Sequence, residues 1–144
     1  MDVLDQEADS TKADKGEWVE LGVSADPKKP VARFLLAYSK NKKAEAKRLE
    51  YGRRYRMAVQ AGGTQAIDAI ADIECQALAH AIVLGWENVH AGAEEIVCMG
   101  ERKADAKTMY ELLKRAPALR ERLLEESSRL TNYKVAEDEE GLGN

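Results

Sequence analysis

Apolar residues recur at helical spacing most densely between Thr64 and Val89, a stretch that also has clear boundary residues. Thr64 follows two glycines and is a residue type that caps helix N-termini, whereas Gly85 is a type that ends helices. The pattern predicts one helix here, apolar on more than one side and central in a small core. The apolar spacing is carried by Ile67, Ile70, Ala71, Leu78, Ala81 and Ile82, and the one polar edge by Asp68, Asp72 and Gln76.

Two shorter apolar segments precede this helix. Residues 17–23 alternate between apolar and acidic side chains, which is typical of a strand. Residues 31–38 form a short apolar run that predicts a second strand, joined to the first through a proline-containing loop at 26–30. In this second run Phe34, Leu35 and Tyr38 also fit the spacing of a helix start. A β-hairpin is therefore predicted, with a helix as the alternative for its second half.

Residues 41–61 predict a basic helix, capped by Ser39 or Asn41. Gly52 lies in its middle and costs about 1 kcal/mol relative to alanine. Tyr51 and Tyr55 are interleaved with the cations, which makes 40–56 the best candidate for nucleic-acid binding. The chain as a whole has a net charge of −4, so a solvated helix is favoured, and docking of an acidic partner segment is a third interpretation. The basic residues are Lys40, Lys42, Lys43, Lys47, Arg48, Arg53, Arg54 and Arg56.

The remaining pattern predicts a short insert and two helices. Residues 89–98 have the composition of a small hairpin, with its turn at Ala91 and Gly92. Asp105 is a candidate cap for a helix ending at Arg115, and Pro117 suits the first turn of a last helix that runs to about Tyr133. The predicted inward positions are Met109, Leu112 and Leu113 on the first helix and Leu119, Leu123, Leu124, Leu130 and Tyr133 on the second.

The predicted fold is therefore α+β and mostly helical. It has an N-terminal β-hairpin followed by about four helices with a short hairpin-like insert. We expect a flexible acidic arm at 1–15, a single globular, mostly helical domain at 16–133 and a flexible acidic tail at 134–144.

Candidate chemistry is sparse. His80 lies among apolar residues without a companion motif, and the spacing of Cys75, His80, His90 and Cys98 matches no familiar zinc pattern. We therefore expect no enzyme, no catalytic residue, no metal and no cofactor. The two cysteines are predicted to be free thiols, with a disulfide between them left open. No apolar run approaches the length of a membrane span, and no signal peptide is evident, so membrane association and export are not expected.

Three stretches resemble a known family. They are Ala81-Ile82-Val83-Leu84-Gly85-Trp86-Glu87-Asn88-Val89, Met109-Tyr110-Glu111-Leu112-Leu113, and Ala116-Pro117-Ala118-Leu119-Arg120-Glu121-Arg122-Leu123, with Trp18 to Leu21 fitting the opening strand. This layout is similar to that of the tail assembly chaperones of long-tailed (siphovirus-like) bacteriophages, from about Glu17 to Tyr133. Cys98-Met99-Gly100 and the strongly charged basic helix depart from the family pattern.

The resemblance implies a protein-binding function. Such chaperones coat the tape measure protein before the tail tube polymerises around it, work in the host cytoplasm and are absent from the finished virion. On this basis Trp86, Leu112, Leu119 and Leu123 are expected to contribute to an apolar groove for the client. Contacts from Lys43, Lys47 and Arg54 would add electrostatic steering.

Further partners and alternatives follow from the same resemblance. The tail tube protein and a longer, frameshifted form of the chain are candidate partners, and self-association is left open. Leu142-Gly143-Asn144 can be encoded by codons that contain a slippery heptamer, which is a hypothesis about the gene. The alternative function is a structural head–tail connector or adaptor of a phage particle. A nucleic-acid-binding regulator that uses 40–56 is the weaker alternative, because nucleic acid is not an expected partner of an acidic chain.

Overall fold

The computed structural model describes residues 15–22 and 30–142, with side chains described as far as Arg129. Strands β1 (Glu17–Leu21) and β2 (Ala32–Leu36) pair antiparallel, with Trp18 opposite Leu35. The predicted hairpin is confirmed, and the second segment is a strand rather than a helix start. Its alternate residues Phe34 and Leu36 are fully buried, as expected when one face of a strand lies on the core.

Two helices replace the single basic helix of the prediction. Helix α1 (Lys42–Arg54) begins after Asn41, whose side chain accepts a hydrogen bond from the Ala44 N–H at 3.0 Å. Of the two predicted caps, the structure therefore selects Asn41. The helix is interrupted at Tyr55 and not at Gly52, and a short helix α2 (Arg56–Ala61) follows.

The predicted long central helix is confirmed as far as Ile82 and is wrong only at its end. Helix α3 (Gly63–Ala77) passes into a π-helical turn (Leu78–Ile82), and Val83–Glu87 is strand β3. Strand β3 pairs antiparallel with β2 and completes a sheet of order β1-β2-β3. Gly85 consequently lies opposite Leu35 in the sheet and does not end a helix. A fully apolar run suits a buried strand as well as a buried helix, and pairing with β2 decides between them.

The hairpin-like insert is confirmed. Strands β4 (Val89–Ala91) and β5 (Glu94–Ile96) pair antiparallel around a turn at Gly92 and Ala93. The indole N–H of Trp86 donates to the Ile96 carbonyl at 2.7 Å, which ties the insert to strand β3.

Helices α4 (Arg102–Arg115) and α5 (Pro117–Leu142) complete the chain. Asp105 is not the N-cap, because α4 already begins at Arg102. Asp105 is buried and accepts the backbone N–H groups of Met99 and Gly100 at 2.7 and 3.0 Å, so it fixes the loop before the helix. Pro117 occupies the first helical position as predicted, whereas the helix extends to Leu142 and not to about Tyr133.

One core joins these elements. The predicted inward residues Met109, Leu112 and Leu113 of α4 and Leu123 of α5 are buried in it, together with Phe34, Leu36, Leu78 and Ile82. The predicted positions Leu130 and Tyr133 and the arm at 1–15, apart from Lys15, lie outside the residues whose side chains are described. The domain limits and the flexibility of the tail at 134–144 remain predictions. Within the described part of the chain, no helix is both long and apolar enough to cross a membrane.

Candidate functional site: an apolar surface on helices α1 to α3

The four apolar residues predicted to bind a client lie mainly in the core. The exposed fractions of Trp86, Leu112 and Leu123 are 4%, 7% and 0%. Leu119 is partly buried and packs against the same cluster. In this structure their side chains hold the fold together, so they do not line an accessible groove.

Large apolar side chains are instead exposed on helices α1 to α3. Ile67 and Ile70 of α3 are 66% and 50% exposed, and their spacing of three residues puts them on one helix face. Leu49 of α1 and Met57 of α2 are 59% and 85% exposed. We call Leu49, Met57, Ile67 and Ile70 the apolar surface. Single exposed apolar residues are ordinary, but two isoleucines on one helix face make this side of α3 a candidate protein-binding site.

The packing of α1 on α3 leaves open space beside this surface. Asn41 donates to the Ala81 carbonyl at 2.9 Å, and Arg48 bonds Glu74 at 3.1 Å. Both contacts fit one antiparallel register, which places Gly52 level with Ile70. A Cβ atom at Gly52 would meet no other atom within 4 Å. Position 52 of α1 therefore faces open space.

Apart from Arg48, which bonds Glu74, the basic side chains of α1 and the adjoining Arg56 of α2 fall into two groups. Lys47 and Arg54 both bond Glu50, at 3.3 and 3.2 Å, and the Arg54 guanidinium also lies 4.7 Å from the centre of the Tyr51 ring. Among the described residues, no carboxylate lies within bonding distance of Lys42, Lys43, Arg53 or Arg56. The first group is largely neutralised within the helix, which weakens the case for a nucleic-acid interface. In the second group, Arg53 and Arg56 lie within four residues of Met57 and leave positive charge near the apolar surface.

Asp72, predicted to lie on an exposed polar edge, is buried at 4% exposure. Tyr55 donates to one carboxylate oxygen at 2.5 Å, Lys114 donates to the other at 3.1 Å, and Tyr110 also donates to that second oxygen. We call these four residues the Asp72 cluster. They join the α1–α2 break, helix α3 and helix α4, and they fix the face that α3 turns outward. The prediction for α3 is thus wrong for three residues: Asp72 faces inward, whereas Ile67 and Ile70 face solvent.

The hydrogen bonds of the Asp72 cluster stabilise the ionised form of Asp72 and the neutral forms of Tyr55 and Tyr110. Burial alone would raise the pKa of Asp72, but the bonds from Tyr110, Tyr55 and Lys114 outweigh it and lower that pKa below 3.8. The bond to Asp72, then burial, raises the pKa of Tyr55 above 10.0. Burial first, and then the same carboxylate, raises the pKa of Tyr110 well above 10.0. The cluster therefore holds one carboxylate and two neutral phenols across the neutral range.

The remaining candidate groups are dispersed. Cys75 is buried and Cys98 half-buried, and both are free thiols. Cys98 donates to Asp105 at 3.3 Å. His80 lies on the π-helical turn and the exposed His90 on strand β4. Across residues 15–22 and 30–129, no three His, Cys, Asp or Glu side chains are grouped so as to hold a metal ion.

Sequence reasoning missed the apolar surface for a physical reason. A helix with isoleucine or alanine on several sides does not reveal which side faces the core. Tyr55, Tyr110 and Lys114 can satisfy the hydrogen-bonding groups of a buried Asp72. Only tertiary packing brings these residues together, so the sequence alone does not show the contact.

A family model described as "YdaY prophage protein" matches residues 37–144, which include all five helices and the whole apolar surface. No curated protein and no solved structure matches the chain.

Proposed function

The chain belongs to the YdaY prophage protein family, and from that premise we propose that it is a phage tail assembly chaperone. Its client is the tape measure protein, which it keeps soluble and competent for tail tube polymerisation in the host cytoplasm. The phage origin follows from the family. The chaperone function rests on the resemblance in sequence layout and on the surface described above.

The observation that carries the proposal is the exposure of Ile67 and Ile70 on a helix whose opposite side is fixed inward by Asp72. A tape measure protein is a long helical molecule whose apolar stripes stay uncovered until the tube encloses them. An apolar face between helices binds such a stripe by the helix-in-groove mode, in which residues at helical spacing provide the anchors. The binding surface is thus relocated from Trp86, Leu112 and Leu123 to helices α1 to α3.

Charge supports the choice of client segment. Arg53 and Arg56 lie within four residues of Met57 and have no carboxylate partner within the described residues. An amphipathic helix that carries acidic residues beside its apolar stripe would match these positive charges. Electrostatic complementarity of this kind mainly raises the association rate and suppresses wrong partners.

Co-expression with the tape measure protein of the same prophage tests the proposal. The measured quantity is the fraction of tape measure protein that stays in the supernatant with the wild-type chain, with no chain and with an Ile67→Asp, Ile70→Asp double variant. These substitutions add two charges to the apolar surface, but both lie at exposed positions in the first half of α3, where acidic residues are compatible with the helix dipole. We expect the soluble fraction to fall to the level seen without the chain.

The matched control is a Lys103→Gln, Lys107→Gln variant, which makes the net charge more negative by the same two units at exposed positions of helix α4, outside the apolar surface. It should behave as wild type. If the tape measure protein is equally soluble without the chain, the chaperone function is wrong. If both double variants behave alike, the apolar surface is not the binding site.

A further inference from the structure

A small cleft opens where the π-helical turn passes into strand β3. Its volume is ≈ 100 Å³, enough for several water molecules and too small for a drug-sized ligand. The cleft is lined by Asn41, Lys43, His80, Ala81, Leu84 and Arg102. π-helical segments are rare and frequently occur at functional sites.

The lining is basic. Lys43 comes from the first turn of α1, His80 from the π-helical turn and Arg102 from the start of α4. No carboxylate is among the lining residues. Three elements distant in sequence therefore bring three nitrogen-bearing side chains to one small opening.

Two of the polar side chains are held in place by backbone carbonyls. The Arg102 guanidinium donates to the carbonyls of Val83 and Leu84 at 3.1 and 3.3 Å, and also to that of Ala79. Asn41 donates to the carbonyls of Tyr38 and Ala81 at 2.8 and 2.9 Å. Carbonyl oxygens orient the guanidinium without cancelling its charge, so the positive potential remains available to a ligand.

His80 lies in the positive potential of this lining. Burial first, and then the charges of Lys47 and Arg102, lower its pKa below 6.5, while Glu50 acts in the opposite direction. Lys43 lines the same cleft as His80 and adds a further positive charge there. His80 is therefore mainly neutral at pH 7 and has one ring nitrogen to donate and one to accept.

We propose that this cleft binds a small oxyanion, a carboxylate or a phosphate, through Lys43, His80 and Arg102. A planar or tetrahedral group with several acceptor oxygens matches a set of nitrogen donors converging from different sides. The site lies at the junction of α3 and β3, and it does not depend on the identity of the client. Its failure would leave the proposed function intact.

Binding must be coupled to protonation of His80. An anion beside the imidazole favours the imidazolium form, so a bound oxyanion raises the pKa of His80. By linkage, protonation of His80 strengthens the binding of an anion whose own charge stays constant over the same pH range. A cleft that merely carries a structural histidine would show no such coupling to phosphate.

Proton NMR of the full chain measures this directly, because the chain contains only two histidines. The imidazole signals of His80 and of the exposed His90 are followed from pH 5 to 8 in sodium chloride, sodium phosphate and sodium acetate at equal ionic strength. We expect phosphate or acetate to shift the His80 signal and raise its pKa, while His90 stays unchanged. A Lys43→Gln variant should bind about fivefold more weakly, whereas Lys107→Gln, an exposed lysine on α4, should bind as wild type.

The responses to acetate and to phosphate distinguish two possible sources of the ligand. A response to acetate indicates that a protein carboxylate can occupy the cleft, and a response to phosphate alone indicates a free phosphate or a phosphorylated group. If neither anion shifts His80, or if His80 and His90 shift alike, the cleft is not an oxyanion site. A response that is unchanged in the Lys43→Gln variant would also overturn the assignment.

Discussion

Tyr55, at the break between helices α1 and α2, donates a hydrogen bond of 2.5 Å to Asp72 on the buried side of α3. This contact sets how α3 is rotated. With Asp72 held inward by Tyr55, Tyr110 and Lys114, the residues on the other side of the helix, Ile67 and Ile70, face solvent. The buried contacts of Asp72 thus leave Ile67 and Ile70 exposed on the opposite side of α3.

The Asp72 cluster should make stability depend on pH at the acid end. The folded-state pKa of Asp72 is lowered, so its contribution to stability is present above the unfolded value of about 3.9 and is lost as the pH falls through the folded value. We expect Asp72→Asn to lower the free energy of unfolding by about 1–3 kcal/mol at pH 7. Urea unfolding of both proteins should show this difference shrinking below about pH 3.9.

Asp68→Asn is the matched control for that experiment, since Asp68 lies one turn earlier on α3 and is exposed. It should change stability by less than about 0.5 kcal/mol. A difference between Asp72→Asn and wild type that persists unchanged below pH 3 would show that the carboxylate charge is not what the cluster stabilises. At the alkaline end, the raised pKa values of Tyr55 and Tyr110 predict a second loss of stability above pH 10.0.

Gly52 offers a test of the open space beside Ile70. The position is helical, and a Cβ there would meet no atom within 4 Å. Gly52→Ala should therefore stabilise the chain by about 0.5–1 kcal/mol through helix propensity and a less flexible unfolded state. Thermal unfolding followed by circular dichroism measures the change.

Gly62→Ala provides the contrast, because that position is equally uncrowded but has φ of 71°. An L-residue is strained in this region, so the same added methyl group should destabilise the chain by about 1–2 kcal/mol. If the two substitutions shift stability in the same direction, either the helix at Gly52 or the turn at Gly62 is incorrectly described.

Arg102 should be important for the junction of α3 and β3. Its guanidinium is a donor for the carbonyls of Ala79, Val83 and Leu84, where the helix hydrogen-bond pattern ends. Arg102→Ala leaves these acceptors without that donor and should lower the free energy of unfolding by about 1–3 kcal/mol. The neighbouring exposed Lys103→Ala should change it by less than about 0.5 kcal/mol, and equal effects in chemical unfolding would contradict the assigned role.

The proposed chaperone function also predicts where the protein is found. After induction of the prophage, mass spectrometry should detect the chain in the lysate during assembly but not in purified particles. An assembly factor leaves its client when the tube closes, whereas a connector remains. Detection in purified particles at a copy number typical of a ring would instead favour the head–tail connector or adaptor.

Local patterns alone determined a large part of this fold. Alternation identified strand β1, Asn41 and Pro117 marked the starts of α1 and α5, and the spacing of Met109, Leu112 and Leu113 identified the buried side of α4. These features depend on a few neighbouring residues, namely a cap, a fixed φ angle or one apolar stripe. They are present in the sequence before any long-range contact forms.

Tertiary structure decided the rest, and with it the candidate sites. Val83–Glu87 forms a strand because it pairs with β2. A continuous apolar run does not show by itself that such a pairing partner is available. The orientation of α3 depended on Asp72 meeting Tyr55, Tyr110 and Lys114, residues that lie 17 to 42 positions away. When a helix has apolar residues on several sides, its own sequence leaves its rotation undetermined. Only the partners of its polar residues determine which side is buried and which is left to bind another molecule.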